Sequence, residues 1–243
     1  ELVSQGIVSI SGVDTRSITR HVREQGAMRA GVFSGDALTD LDTMVQTVQD
    51  SPRMKGADLS GAVSTAETYI VPAEGETRFR VAALDLGIKF NTPRMMAQRG
   101  IETHVMPVGS TLDDLLAVEP HGVFLANGPG DPQTQAHAIE LTKGVLERRL
   151  PLFGICFGNQ ILGRALGMGT YKMTYGHRGI NVPVIEAATG RVAITAQNHG
   201  FALQGEAGQK LDTPYGPAEV SHYCPNDGTV EGLRCVDVPA FSV

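Results

Sequence analysis

Tryptophan is absent from the 243 residues, and aromatic residues together make up 5% of them. So thin a supply of rings argues against a platform that stacks nucleic-acid bases. Long apolar runs are missing as well. A stretch such as Pro151–Phe157 falls far short of the roughly 18 residues that read as a bilayer span. No charged-then-apolar leader opens the sequence, and the expected compartment is the cytoplasm, without a membrane partner. Cysteine is scarce. Cys156, Cys224 and Cys235 cannot all pair and form no C-x-x-C cluster, so neither a disulfide framework nor a thiolate zinc site is supported, and no metal is expected. Basic residues are not in excess: 20 Lys and Arg against 26 Asp and Glu give a net charge of -6. That balance, without long charge runs, argues against a general nucleic-acid or membrane-surface binder. Internal repeats and low-complexity tracts are likewise missing.

What remains is a globular chain, 42% hydrophobic and long enough to bury a sizeable core. Residues 1–70 read as the end of a small domain. A strand is expected over Gly6–Val13, a helix over about 15–25 with Asp14-Thr15-Arg16 as its cap and Gly26 closing it, and a strand over Arg29–Phe33. A helix over about 38–49 follows, with Leu38, Leu41, Val45 and Val48 at helical spacing. Arg16, Arg20, Arg23 and Arg29 read as a solvated face. The polar, turn-rich run over 71–78 reads as a linker, leaving 79–243 as the larger unit. There, apolar strands (80–86, 102–106, 121–126, and one ending at Cys156) alternate with helices. The first helix takes Thr92 as cap and Pro93 at its first position; others are expected over about 111–118 and 134–148. That alternation predicts an α/β fold with a doubly wound, mostly parallel sheet. Beyond residue 170 the extended segments near 180–186, 191–197, 218–223 and 229–243 read as strands and hairpins flanking the sheet.

The densest chemical signal is Gly154-Ile155-Cys156-Phe157-Gly158, which has the G-x-S-x-G spacing of a nucleophile elbow with sulfur in place of oxygen. A helix over about 158–167 would point its amino end at the sulfur and favour the thiolate. Ligands of an open parallel sheet gather at the carboxyl ends of its strands, so the loop Asn127-Gly128-Pro129-Gly130-Asp131-Pro132 should face the same crevice. Its tight backbone could hold an oxyanion, could be an ordinary turn, or could weakly suggest a phosphate loop. Thr195–Phe201 could line a pocket or turn a hairpin. A thiol nucleophile needs a base, usually histidine. Of seven histidines, only His177, His199 and His222 follow Cys156, and none has Asp or Glu two residues later. Each reads first as a structural or surface residue.

Taken together, Asn127–Pro132, Gly154–Gln160 and Gln197–Phe201 resemble class I glutamine amidotransferases. Val13–Arg20, Asp58-Leu59-Ser60 and Thr65-Ala66-Glu67 resemble the domain particular to the carbamoyl-phosphate synthase small-subunit branch, so the resemblance covers essentially the whole chain. It implies that Cys156 attacks the glutamine side-chain amide, giving a glutamyl thioester and ammonia. It implies an oxyanion hole from the amides of Gly128 and Phe157, and glutamine contacts at Gly128, Gly130, Phe157, Gln160, Asn198, Gly200 and Phe201. Phe157 and Asn159 stand where leucine and histidine are common in the family. No cofactor is implied in this subunit. The ammonia would pass to a large synthetase subunit that uses ATP, Mg and bicarbonate to make carbamoyl phosphate for arginine and pyrimidine biosynthesis, giving a heterodimer.

The resemblance also carries expectations about what lies outside these residues. The family's catalytic histidine and glutamate follow a strand resembling Pro239–Val243, and a glutamine-site serine lies upstream of Glu1. The 243 residues are therefore expected to be part of a longer chain, and alone to turn glutamine over little. Steady turnover without that motif would make His199 the candidate base. Other readings are a non-catalytic docking or regulatory relative, a glutaminase subunit of another synthetase, and a cysteine hydrolase of esters or γ-glutamyl peptides.

Overall fold

A computed structural model describes residues 2–243. Helix α1, Thr15–Gln25, starts where the Asp14 carboxylate accepts the Ser17 N–H at 2.9 Å and ends at Gly26, whose φ of 84° suits only glycine comfortably. The strands expected over Gly6–Val13 and Arg29–Phe33 do not form: both segments are irregular. Alternation alone cannot make a strand; it needs a neighbour to bond, and neither segment has a strand partner among the described residues. Arg29 instead caps the next helix, bonding the carbonyls of Gln49 and Ser51. That helix, α2, spans Leu41–Asp50 rather than starting at Leu38, because Asp40 caps it by accepting the Thr43 N–H at 3.0 Å. A short helix, α3 (Ser60–Val63), precedes β1, Tyr69–Val71.

The larger unit follows the expected alternation: β2 Phe79–Leu84, α4 Asn91–Ala97, β3 Ile101–Met106, α5 Leu112–Ala117, β4 Gly122–Leu125, α6 Ala136–Glu147, β5 Leu152–Gly154 and α7 Phe157–Ala165. Helix α4 begins one residue before Thr92, with Phe90 as its cap; Thr92 donates to the Lys89 carbonyl and Pro93 stays in the first turn, where its missing N–H costs nothing. Thr111 and Asp114 form a reciprocal capping box on α5.

Five strands run parallel in the order β3-β2-β4-β5-β11, with β11 at Ala240–Ser242. All four residues of β4 are buried, as are Ala82, Ala83 and Leu84 of β2, which explains why these strands read as plain apolar runs. The order reverses between β2 and β4, and right-handed crossovers then place α4 and α5 on opposite faces. The carboxyl ends at that reversal are where an open sheet receives its ligand. Strands β6 Thr170–Glu186, β7 Val192–Leu203, β8 Lys210–Thr213, β9 Gly216–Tyr223 and β10 Val230–Cys235 do not merely flank this sheet. They extend it antiparallel into eleven strands, while β1 pairs antiparallel with β3 at the other edge. Strand β6 starts well before the expected residue 180, and β7 runs through Asn198–Phe201, which settles that segment as strand. Two register shifts between β6 and β7, and the charged residues Lys172 and Arg178, hide the pattern.

Candidate active site

Strand β5 ends at Gly154 and hands the chain to Cys156, whose φ of 55° and ψ of -101° lie where L-residues are strained. The strain is held from three sides. The Cys156 N–H donates to the Val243 carbonyl at 2.8 Å, Ile155 N–H to the Leu125 carbonyl at 3.1 Å, and Gly158 N–H to Ile155 at 2.9 Å. A Cβ on Gly154 would fall 2.7 Å from the Gly158 carbonyl, and one on Gly158 would fall 2.2 Å from the Leu125 oxygen. Both glycines are therefore required by the close approach of β4, β5 and α7.

The sulfur sits at the amino end of α7, yet the expected preference for thiolate is overturned. Burial pushes the Cys156 thiol above its ordinary value, and the Glu231 charge adds to that; the Phe157 N–H and the Lys89 charge pull the other way without prevailing. The sign gives a prediction. Because an ordinary thiol titrates near 9.0, alkylation of Cys156 by iodoacetamide will lag a free thiol at neutral pH and still be climbing above pH 9. A rate that levels off below pH 8 would contradict this environment.

Loop 127–132 leaves β4 beside the elbow. Asn127 Nδ2 donates to the Gly87 carbonyl at 2.8 Å, and a Cβ on Gly128 would lie 2.2 Å from the Leu86 oxygen. Gly130, with φ 97°, packs where a Cβ would meet the Ala57 carbonyl at 2.7 Å. The segment bearing Asp58 fastens here: Asp131 N–H donates to Ala57, Gly56 N–H to the Asp131 carboxylate, and Gln135 Nε2 to Asp58. Gln160, one turn into α7, donates to the Phe201 carbonyl at 2.7 Å and so joins the elbow to the end of β7. Asn198 and Gly200 precede Phe201 on that strand. Across from them on β6, Lys172 pairs in register with Phe201 and Arg178 with Asn198. A Cβ on Gly200 would lie 3.1 Å from Lys172 Nζ and 3.2 Å from Arg178 Nη2, and neither cation has an acidic ion-pair partner among the described residues. Asn159 faces inward, its Oδ1 accepting from Ser242 at 2.8 Å.

A family profile described as glutamine amidotransferase class-I matches residues 82–243. The chain belongs to this family. A second profile, described as carbamoyl-phosphate synthase small chain, CPSase domain, matches residues 1–32 of the same amidotransferase. Two relatives called carbamoyl phosphate synthase small chain cover the whole chain, one from Streptomyces coelicolor at 63% identity and one from Mycobacterium tuberculosis at 61%. The chain spans 64% and 65% of their respective lengths. The solved structure of a putative GMP synthase component from Thermoplasma acidophilum superposes with a TM-score of 0.55 at 15% identity, over 68% of this chain and 82% of that one. At that identity it speaks for the amidotransferase fold only.

One group of side chains in this amidotransferase joins two residues of the Gln197–Phe201 motif to partners that no sequence motif contains. His177 on β6, Gln197 and His199 on β7 and Glu231 on β10 converge, with Asp227 just before β10. Burial alone would lower His177, but its bond to Asp227 and the charges of Glu231 and Asp227 hold it above the usual imidazole value. A carboxylate two residues after a histidine would have been visible in the sequence. The carboxylate comes instead from another strand, 54 residues from His177.

Proposed function

We propose that this chain is the glutamine-hydrolysing part of a carbamoyl-phosphate synthase, with Cys156 as nucleophile. The observation that carries the reading is the strained, three-sided elbow that presents a half-buried thiol beside the loop of Gly128. In this reading the Cys156 sulfur attacks the γ-amide carbon, the carbon–nitrogen bond breaks, ammonia leaves, and water later cleaves the glutamyl thioester. The developing oxyanion would be met by the N–H groups of Gly128 and Phe157. The Phe157 N–H already points at the sulfur, which supports its part.

Glutamine would lie between loop 127–132 and the end of β7, against Gly130, Gln160, Asn198, Gly200 and Phe201. Lys172 and Arg178 give that wall a positive potential suited to a substrate carboxylate. The name of the relatives, carbamoyl phosphate synthase small chain, supports a partner in the form of a large synthetase subunit, which would consume the ammonia with ATP, Mg and bicarbonate in the service of arginine and pyrimidine biosynthesis. No helix among the described residues is long and apolar enough to cross a membrane, and a cytoplasmic site is the reading we adopt.

The direct test is to quench the protein in the presence of glutamine and weigh it. A glutamyl adduct that maps to Cys156 is the expected result; no adduct there, with glutamine bound, would sink the covalent reading.

A further inference from the structure

Two histidines in the β6–β7–β10 cluster face more acceptors than a pair of neutral imidazoles can serve. His199 Nδ1 lies 2.9 Å from the Phe201 carbonyl, so it must donate; its Nε2 then lies 2.9 Å from Gln197 Oε1 and 3.4 Å from Glu231 Oε2. His177 Nε2 lies 2.9 Å from the Asp227 carboxylate, while its Nδ1 lies 2.9 Å from Gln197 Oε1 and 2.8 Å from Glu231 Oε1. The orientation of the Gln197 amide is not free. Thr195 Oγ1 donates to the Val182 carbonyl at 2.9 Å and so accepts from Gln197 Nε2 at 3.1 Å, which turns Oε1 inward. Were each ring neutral, its one N–H would be used on the outer side, on Asp227 or on the Phe201 carbonyl. The inward atoms are then two ring nitrogens, an amide oxygen and a carboxylate, all presenting lone pairs to one another.

A cation at the centre resolves that convergence. We propose that His177 Nδ1, His199 Nε2 and Glu231 bind one divalent transition-metal ion of the zinc class, with Gln197 Oε1 or water in the fourth position. The three protein ligand atoms lie within 4.8 Å of one another. Tetrahedral bonds of about 2.0–2.1 Å place ligand atoms roughly 3.3–3.4 Å apart; Glu231 meets His177 Nδ1 at 2.8 Å through Oε1 and His199 Nε2 at 3.4 Å through Oε2, and Gln197 Oε1 lies 2.9 Å from each ring nitrogen. The outer hydrogen bonds are those of metal-bound imidazoles. One ring N–H goes to a carboxylate, Asp227, and the other to a main-chain carbonyl, Phe201, which fixes the tautomers that leave Nδ1 of His177 and Nε2 of His199 open. A second grouping, His177 with Cys224 and Asp227, would need the outward nitrogen that Asp227 already holds. The ion would tie β6, β7 and β10 together behind Asn198–Phe201. None of its ligands is the nucleophile, and its test reads metal uptake rather than glutamine turnover, although the Glu231 charge also acts on Cys156.

The alternative is a metal-free cluster in which both rings carry two protons against Glu231 and Asp227. Calorimetric titration of the protein with Zn²⁺ at pH 7.5, and with Co²⁺ followed by visible absorption, separates the two. One equivalent taken up, and a tetrahedral Co²⁺ spectrum without thiolate charge transfer, is expected. Glu231→Gln and His177→Ala are expected to abolish it, Asp227→Asn to weaken it roughly 10–100-fold, and Cys224→Ser to leave it unchanged. Should the ligand variants fail to fold, the wild-type stoichiometry and the Cys224→Ser spectrum still decide. No uptake by the folded wild type, uptake indifferent to Glu231→Gln, or a signal lost with Cys224→Ser would each overturn the site.

Discussion

Cys156→Ser is expected to cut glutamine-dependent carbamoyl phosphate formation, assayed with the large synthetase subunit, roughly 10³-fold or more, while ammonia-dependent formation stays within about twofold. The size of the loss follows from the chemistry of the site. A serine hydroxyl is far less acidic than a thiol, and an attacking oxygen would need a strong base where sulfur needs little help. The fold gives the comparison its control. Serine is nearly isosteric with cysteine and meets the same φ of 55°, so the elbow, its bond to Val243 and the contacts of α7 persist. Equal loss of both activities would favour a docking or regulatory role for the chain. Undiminished glutamine use would remove Cys156 from the reaction.

How much of this is legible in the sequence depends on which strands carry it. The parallel strands β2 and β4 are buried on both faces and therefore announce themselves as apolar runs between helices. The elbow is legible for a different reason: its glycines flank the cysteine at fixed short spacing, so the motif is compact even though the contact that dictates Gly158 comes from Leu125 on β4. The antiparallel half is not, because β6 carries Lys172, His177 and Arg178 on a strand whose pairing with β7 is broken by two register shifts. Gly6–Val13 errs in the opposite direction, alternating like a strand with no strand to pair against among the described residues. For the site the same rule holds. Cys156, Gly128 and Gln160 fall in short motifs, as do Gln197 and His199, but the convergence of those two with His177 and Glu231 joins three strands and leaves no spacing to read. The acidity of the thiol is hidden for a further reason: the sequence shows a helix amino end but not how deeply the sulfur is buried or that the Glu231 charge acts on it.

Gly158→Ala is the variant expected to damage the protein most. The added methyl would lie 2.2 Å from the Leu125 oxygen and 2.9 Å from both the Leu125 carbonyl carbon and Cβ, distances at which something must move. None of the obvious movers is a flexible side-chain end. The Leu125 carbonyl is held by the Ile155 N–H, β4 is sealed between β2 and β5, and Gly158 is fixed by its own bond to Ile155. Overpacking of this kind costs about 3 kcal/mol or more, which for a chain of this length lowers Tm by roughly 6–12 °C. The displacement would also move α7, and with it Cys156 and Gln160, so residual folded protein is expected to lose alkylation by a glutamine-like chloroketone faster than it loses alkylation by iodoacetamide. Gly61→Ala supplies the contrast. Gly61 sits inside α3 with open space where the methyl would go, and alanine there is expected to be neutral or to stabilise by up to about 1 kcal/mol. Thermal melts of the two variants side by side test whether the elbow is held by main-chain contact, as its geometry requires. Equal, small shifts would mean that β4 yields and that the glycine is not needed for the approach of α7.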